Sequence, residues 1–111
     1  MADERRNFNR VGLRFNISYT IVGTKKVGAA VTSNVSGAGL RFLAEHPLVE
    51  GDRLDLRIVL PDRTQPVACL GEVVWCRSAA HQAVEVGVRF VTITEDDRRL
   101  LAQYAMLYPE T

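Results

Sequence analysis

Residues 11–21 read VGLRFNISYTI, and in this stretch an apolar side chain occupies every second position. The apolar members are Val11, Leu13, Phe15, Ile17, Tyr19 and Ile21. A period of two is typical of a β-strand with one buried face, because successive side chains of a strand point to opposite sides. The stretch therefore predicts a strand whose inner face contributes to a hydrophobic core.

Five further apolar runs follow, each bounded by residues that favour turns, such as Gly, Pro, Asp and Ser. They cover residues 29–35, 40–43, 54–60, 67–77 and 84–90. Gly71 interrupts the longest run, and a glycine inside a strand indicates a bend or bulge of the kind that closed sheets need. Alternation in this run predicts two faces, with Cys69, Val73 and Trp75 on one and Leu70, Val74 and Cys76 on the other.

The spacing of apolar residues changes from strand-like to helical after Thr94. Thr94 is a suitable N-cap, and residues 95–97 are acidic, as the helix dipole favours in a first turn. An apolar stripe with helical spacing follows, made of Leu100, Leu101, Tyr104, Leu107 and Tyr108. The sequence predicts an all-β dominated fold: a six-stranded antiparallel β-barrel with one C-terminal α-helix from about Glu95 to Tyr108.

Composition narrows the class of protein. The chain has 111 residues, enough for one domain, and a formal net charge of +1. That charge disfavours binding of a nucleic acid polymer but permits a local cluster for a small anion. No apolar run approaches the roughly 20 residues of a membrane span, and the N-terminus lacks the apolar core of a signal peptide. We therefore expect a cytoplasmic protein without membrane insertion, in which Cys69 and Cys76 are reduced core thiols.

The N-terminal segment carries the first candidate binding groups. Residues 1–10 are polar and charged, with Phe8 as their only large apolar side chain, so we expect a flexible arm there and a barrel domain over residues 11–111. Arg6 and Arg10 stand four positions apart in the arm. A guanidinium can hold a phosphate through two parallel hydrogen bonds, bind the O6 and N7 edge of guanine, or stack on a base.

A second polar motif lies at the break between two apolar runs, where residues 34–39 read NVSGAG. Asn34 and Ser36 are at positions i and i+2, so their side chains leave the same face of the strand. The Asn34 amide oxygen can accept from guanine N1–H or N2–H, and the Ser36 hydroxyl can donate to a phosphate or base. Gly37 and Gly39 leave room beside the backbone and allow positive φ. A stretch of this kind between strands is usually a turn in which Asn and Ser bond their own backbone.

In their order and spacing these motifs resemble the PilZ domain family of bacterial cyclic di-GMP receptors. The matching residues are Arg6 and Arg10 of an Arg-x-x-x-Arg motif, and Asn34, Ser36 and Gly39 of an Asn-x-Ser-x-x-Gly motif. The run GVRF at residues 87–90 resembles the closing strand of the family, and the resemblance covers nearly the whole chain. It implies a non-enzymatic receptor without a cofactor, whose ligand-binding residues are Arg5, Arg6, Arg10, Asn34, Ser36, Gly39 and Trp75.

Three of these positions refine what the resemblance implies. The family often has Asp where this chain has Asn34, and an uncharged Asn would hold the two guanine donors less strongly. Arg5 adjoins the arginine motif at a position that influences whether one cyclic di-GMP or a stacked dimer is bound, and a basic residue fits the stacked dimer. Trp75 lies near the place where some members contact the nucleotide, although a lone Trp in a strand is also typical of a core residue.

Other functions stay open at this point. The same fold could serve as a protein-interaction module that does not bind cyclic di-GMP. A barrel that binds single-stranded nucleic acid would need several exposed aromatic side chains on a basic groove, whereas most aromatic residues here occupy predicted core positions. An enzyme is disfavoured because His46 and His81 lack a partnered nucleophile or carboxylate pattern and metal-ligand spacing. The resemblance implies that the receptor acts on an effector protein, which the sequence does not identify.

Overall fold

The computed structural model describes residues 14–45 and 47–107, which contain six strands, one α-helix and a short 3-10 helix at Ala80–Gln82. The strands are β1 (Asn16–Ile21), β2 (Val27–Val35), β3 (Gly39–Ala44), β4 (Arg53–Val59), β5 (Val67–Ser78) and β6 (Val84–Thr92). The helix, α1, comprises Glu95–Leu107. These elements confirm the predicted all-β dominated fold with a C-terminal helix.

The strands form a closed antiparallel barrel in the order β1-β2-β3-β6-β5-β4. β1 closes it by pairing with β2 along one edge and with β4 along the other, so that Ile17 lies opposite both Ala30 and Ile58. Closure gives every strand a neighbouring strand on both sides, which limits the edge that could pair with another chain. The six-stranded antiparallel barrel that the sequence predicts is therefore confirmed.

Strand alternation decides which side chains fill the barrel. In β1 the side chains of Ile17, Tyr19 and Ile21 are buried, and β4 alternates strictly between exposed and buried positions. Other buried residues of the core are Phe15, Val35, Leu40, Phe42, Leu54, Leu56, Ile58, Val73, Val86, Val88 and Leu101. Burial of one such side chain contributes about 1.5–3 kcal/mol, so the pattern fixes the inward face of each strand. Val11 and Leu13 of the predicted first strand lie outside the described residues.

β5 departs from a regular strand, and this changes the direction in which Trp75 points. Its pairing with β6 shifts register before Gly71 and again between Val73 and Trp75. Cys69 and Val73 are buried as predicted, but Cys76 packs against the core whereas Trp75 is only partly buried. The predicted facing of Trp75 and Cys76 is therefore wrong, because one extra residue in a strand turns the following side chains to the opposite face.

The helix α1 begins as predicted. The Thr94 Oγ accepts a hydrogen bond from the Asp97 amide at 3.2 Å, which is the geometry of an N-cap. The structure describes the helix to Leu107, and the predicted end at Tyr108 lies outside the described residues. Within residues 14–45 and 47–107, no helix is both long and apolar enough to cross a membrane.

Side chains from the middle of α1 anchor it to the barrel. Leu101 and Tyr104 are buried, and the Tyr104 ring meets Phe15 edge-on with 5.4 Å between the ring centroids. The Tyr104 hydroxyl also donates a hydrogen bond to the carboxylate of Asp62, in the loop between β4 and β5. These contacts hold the helix against the barrel beside the start of β1.

The two cysteines of the barrel are poor nucleophiles. Both are free, as predicted, and burial raises the pKa of Cys69 to about 12. Burial also raises the pKa of Cys76, whose thiol donates to the Leu48 carbonyl oxygen at 3.3 Å. Because the thiolate is the reactive form, neither cysteine offers an activated thiol near pH 7. The described residues also contain no group of three His, Cys, Asp or Glu side chains that could hold a metal ion.

Candidate functional site

An open cavity of about 250 Å³ lies on the outside of the barrel, where the turn after β2 meets β3, β5 and β6. Its lining residues are Asn34, Ser36, Ala38, Gly39, Leu40, Arg41, Val74, Trp75, Gly87, Val88 and Arg89. The structure therefore brings together four residues that the sequence analysis selects: Asn34, Ser36, Gly39 and Trp75. The other selected residues lie outside the described part of the chain: Arg5, Arg6 and Arg10.

Strand pairing explains why residues that are distant in sequence meet at this cavity. Asn34 on β2 pairs with Arg41 on β3, and Arg41 pairs with Gly87 on β6. Gly87 in turn pairs with Trp75 on β5. Directly paired residues of neighbouring strands share a face of the sheet. A single row across four strands, which we call the cavity row, thus joins Asn34 to Trp75.

The Ser36 hydroxyl organises the turn between β2 and β3. Its Oγ accepts hydrogen bonds from the backbone amides of Ala38 at 3.1 Å and Gly39 at 3.3 Å. The Oγ atom also lies 3.4 Å from the Gly39 carbonyl oxygen, which is longer than the roughly 2.5–3.0 Å between the two oxygen atoms of an O–H···O hydrogen bond. Ser36 therefore supports its own turn, as the turn interpretation predicts, and its proton can still be donated to a ligand.

The two glycines, Gly37 and Gly39, differ in how closely other atoms approach them. Neither has a positive φ angle, so the positive φ that glycine allows is not adopted at either position. A Cβ atom on Gly39 would lie 2.0 Å from the Val88 carbonyl oxygen, because β3 and β6 approach each other closely there. A Cβ atom on Gly37 would lie 3.3 Å from the Ala102 Cβ of α1. The turn therefore packs against both β6 and the helix.

Trp75 is accessible from the cavity. It is only partly buried and does not belong to the cluster of buried core residues. The register shift that precedes it in β5 turns its indole outward. An accessible indole offers a flat apolar surface on which a nucleic acid base can stack. Of the two interpretations that the sequence left open, the structure favours a cavity residue over a core residue.

Two cavity-lining arginines, Arg41 and Arg89, were not selected from the sequence. The Arg89 Nη2 atom donates to Glu72 Oε1 at 2.8 Å, and its side chain is 55% exposed. An exposed ion pair contributes about 0–1 kcal/mol, so this guanidinium can exchange Glu72 for a phosphate at low cost. Arg41 and Arg89 each follow, by two positions, a glycine of a run that the sequence analysis quotes, Gly39 or Gly87, but only the pairing of β3 with β6 places both at the cavity. They concentrate positive charge at the cavity although the net charge of the chain is only +1.

The size of the cavity limits what it can enclose. Its volume of about 250 Å³ is slightly below the roughly 300–1,000 Å³ of typical small-molecule pockets. A ligand with several rings would therefore extend beyond the cavity and require contacts from another part of the chain. The lining can supply an amide, a hydroxyl, guanidinium groups and an indole, which together suit an anionic ligand with an aromatic base.

Comparison with known proteins identifies a family and a shared fold. The family model described as PilZ domain matches residues 4–107. Among solved structures, the chain is similar to the Bacillus subtilis inhibitor of motility (MotI/DgrA), with a TM-score of 0.71 and 15% sequence identity. That similarity covers 85% of this chain and 46% of the other, so the chain spans about half the length of the MotI structure.

A second similar structure is the PilZ domain with c-di-GMP of YcgR from Escherichia coli. Its TM-score is 0.66 at 13% sequence identity, and the similarity covers 85% of this chain and 81% of that chain. At such low identities the two structures show a common fold. No curated protein matches the chain.

We predict that Gly39→Ala lowers the free energy of unfolding by about 1–3 kcal/mol, because the added Cβ would push against the main chain of β6. Gly37→Ala is the matched control, since its new Cβ meets the helix at 3.3 Å and a small shift relieves that contact. Urea denaturation of both variants measures the difference. Equal losses for the two variants would contradict the packing role assigned to Gly39.

Proposed function

The chain belongs to the PilZ domain family, and we propose that it is a receptor for cyclic di-GMP. The observation that carries this proposal is the cavity row, which with Ser36 and Arg89 brings base-binding and phosphate-binding groups to one surface. The similar PilZ domain of YcgR was solved with c-di-GMP, which supports the same ligand class here. Such a receptor binds a nucleotide without converting it, and we expect it to act in the cytoplasm, where its two free thiols would stay reduced.

The proposed ligand matches the chemistry of the cavity. Cyclic di-GMP has two guanine bases and two phosphates. The Asn34 amide oxygen would accept from guanine N1–H or N2–H, and the Ser36 hydroxyl would donate to a phosphate or base. The Trp75 indole would stack on a base, and the Arg41 and Arg89 guanidinium groups would attract the phosphates.

The N-terminal arm would complete the site. The cavity is too small to enclose a cyclic dinucleotide, so a second set of contacts is required. Arg6 and Arg10 carry the planar guanidinium groups that hold phosphate or guanine in two-point contacts. We propose that residues 1–10 close over the ligand and that Arg5, which adjoins the motif, favours a stacked ligand dimer with its larger negative charge.

Closure of the arm would provide the signal. Fixing a residue of a flexible chain costs about 1–2 kcal/mol of conformational free energy, so part of the binding energy is consumed in ordering the arm. In return, the ordered arm and the ligand form a surface that exists only in the bound state. We propose that an effector protein recognises this surface.

The second candidate is a PilZ-fold interaction module that does not bind cyclic di-GMP. The observation that favours it is the structural role of two motif residues. Ser36 holds its own turn and Gly39 permits the close approach of β6, so both would be needed without any ligand. The similarity to an inhibitor of motility is compatible with either candidate, because it shows the fold alone.

We predict that the wild-type protein binds cyclic di-GMP and that Arg6→Ala or Arg10→Ala each weakens binding by about 1.5–3 kcal/mol, the usual contribution of a hydrogen bond to a charged group. Calorimetric titration measures the affinities. Arg99→Ala is the matched control, because Arg99 is an exposed arginine whose ion pair with Glu95 lies on the helix, outside the cavity lining. Titration with a single-stranded oligonucleotide should give no comparable heat. Unchanged affinity in both arm variants would locate the site elsewhere, and absence of wild-type binding would favour the interaction module.

We predict a ratio of two cyclic di-GMP molecules to one chain, bound as a stacked dimer. Arg5→Leu should move the ratio towards one, because the stacked dimer brings four phosphates together and needs the additional positive charge. Calorimetry at protein concentrations well above the dissociation constant gives the ratio directly. A wild-type ratio of one would refute the stacked dimer and leave the receptor proposal standing.

We predict that the arm becomes ordered when the ligand binds. Backbone amides of residues 4–10 should exchange rapidly with solvent in the free protein and become protected in the complex, while the amides of β1 and β4 change little. Hydrogen exchange or heteronuclear relaxation of both states measures this. If the arm is equally protected in both states, the signal does not arise from arm closure.

A further inference from the structure

Gly87 makes space for the indole of Trp75. The two residues pair directly between β5 and β6. A Cβ atom on Gly87 would lie 2.1 Å from Trp75 Nε1, 2.2 Å from Cε2 and 2.7 Å from Cζ2. Even an alanine at this position would therefore displace the ring. The indole lies across the neighbouring strand because the residue below it has no side chain.

Arg77 contacts the same indole. Its Cζ atom lies 5.5 Å from the centroid of the Trp75 ring, within the roughly 6 Å of a cation–π interaction. Trp75 and Arg77 are two residues apart on β5, so their side chains leave the same face of the strand. Glu85, directly opposite on β6, holds the guanidinium, with Oε1 accepting from Arg77 Nε at 3.2 Å and from Nη2. Glu85 therefore holds the Arg77 guanidinium beside the Trp75 ring.

We propose that Gly87 and Arg77 are positioning residues, which hold the Trp75 indole as a stacking surface for one base of the bound nucleotide. This inference rests on the proposed function, because the base belongs to the proposed ligand. Gly87 lines the cavity, whereas Arg77 is not part of its lining and acts on the ligand through the indole. A rigid ring loses little conformational freedom when a base stacks on it, so pre-positioning raises affinity.

Double-mutant cycles separate this indirect role from a direct contact. In calorimetric titrations with cyclic di-GMP, Trp75→Leu should weaken binding about 5- to 100-fold through loss of stacking. Arg77→Gln should weaken it about two- to fivefold through loss of the cation–π contact, and Gly87→Ala should also weaken it. In the Trp75→Leu background, neither Arg77→Gln nor Gly87→Ala should cause further loss. Arg99→Gln, which removes another exposed and paired arginine, should leave affinity unchanged.

Two results would overturn the proposal. The first is that Arg77→Gln leaves the affinity for cyclic di-GMP unchanged. The second is that Arg77→Gln lowers the affinity equally in the wild-type and Trp75→Leu backgrounds, which would mean that Arg77 acts by direct contact with the ligand or by long-range charge. Thermal unfolding accompanies each titration, and if Gly87→Ala does not fold, the Arg77 cycle decides alone.

A ligand-free measurement distinguishes failure of this inference from failure of the proposed function. Trp75 is the only tryptophan, so tryptophan fluorescence and the tryptophan bands of near-ultraviolet circular dichroism report its position alone. Arg77→Gln and Gly87→Ala should reduce these bands and increase acrylamide quenching, whereas Arg99→Gln should not. If the wild type binds no cyclic di-GMP, the proposed function fails and these spectra still test whether the two residues position the ring. Unchanged spectra would overturn the positioning role.

Discussion

A strand at the edge of a sheet leaves backbone hydrogen-bonding groups unpaired, and the pairing of β1 with β4 closes the sheet so that every strand has two neighbours. Closure divides the side chains into two sets. The inward set, which includes Tyr19, Phe42 and Leu56, is almost fully buried and fills the interior. The cavity must therefore lie on the outer face, where only departures from regular strand geometry create a concave surface.

Those departures are bulges and glycines. The pairing of β2 with β3 shifts register just before Asn34, and the pairing of β5 with β6 shifts just before Trp75. At Gly39 and Gly87 the missing side chains allow a backbone carbonyl and an indole ring to approach within distances that any Cβ would prevent. The turn between β2 and β3 packs on α1 through Gly37, so a ligand that moves this turn would also press on the helix.

On the outer face of the barrel, arginines form exposed ion pairs whose carboxylate an anionic ligand can replace. Beside the cavity, Glu72 Oε1 lies 2.8 Å from Arg89 Nη2 and 4.0 Å from Arg53 Nη2. Exposed pairs of this kind contribute little to stability, so an anionic ligand can replace a carboxylate without loss of the fold. The protein thus presents several guanidinium groups while its net charge stays at +1, which limits non-specific attraction to polyanions.

The sequence by itself determined the class of fold, the inward faces of β1 and β4, the N-cap at Thr94 and the motif residues Asn34 and Ser36. These features depend on residues that are close in the sequence, so the spacing of apolar residues or the type of side chain predicts them. Only the tertiary structure decided that Trp75 faces outward, that Gly39 serves close packing, and that Arg41 and Arg89 join the cavity. A bulge reverses the facing of the residues that follow it, and the composition of the strand does not reveal it. The approach of β3 to β6 joins residues about fifty positions apart, which a local sequence pattern cannot predict.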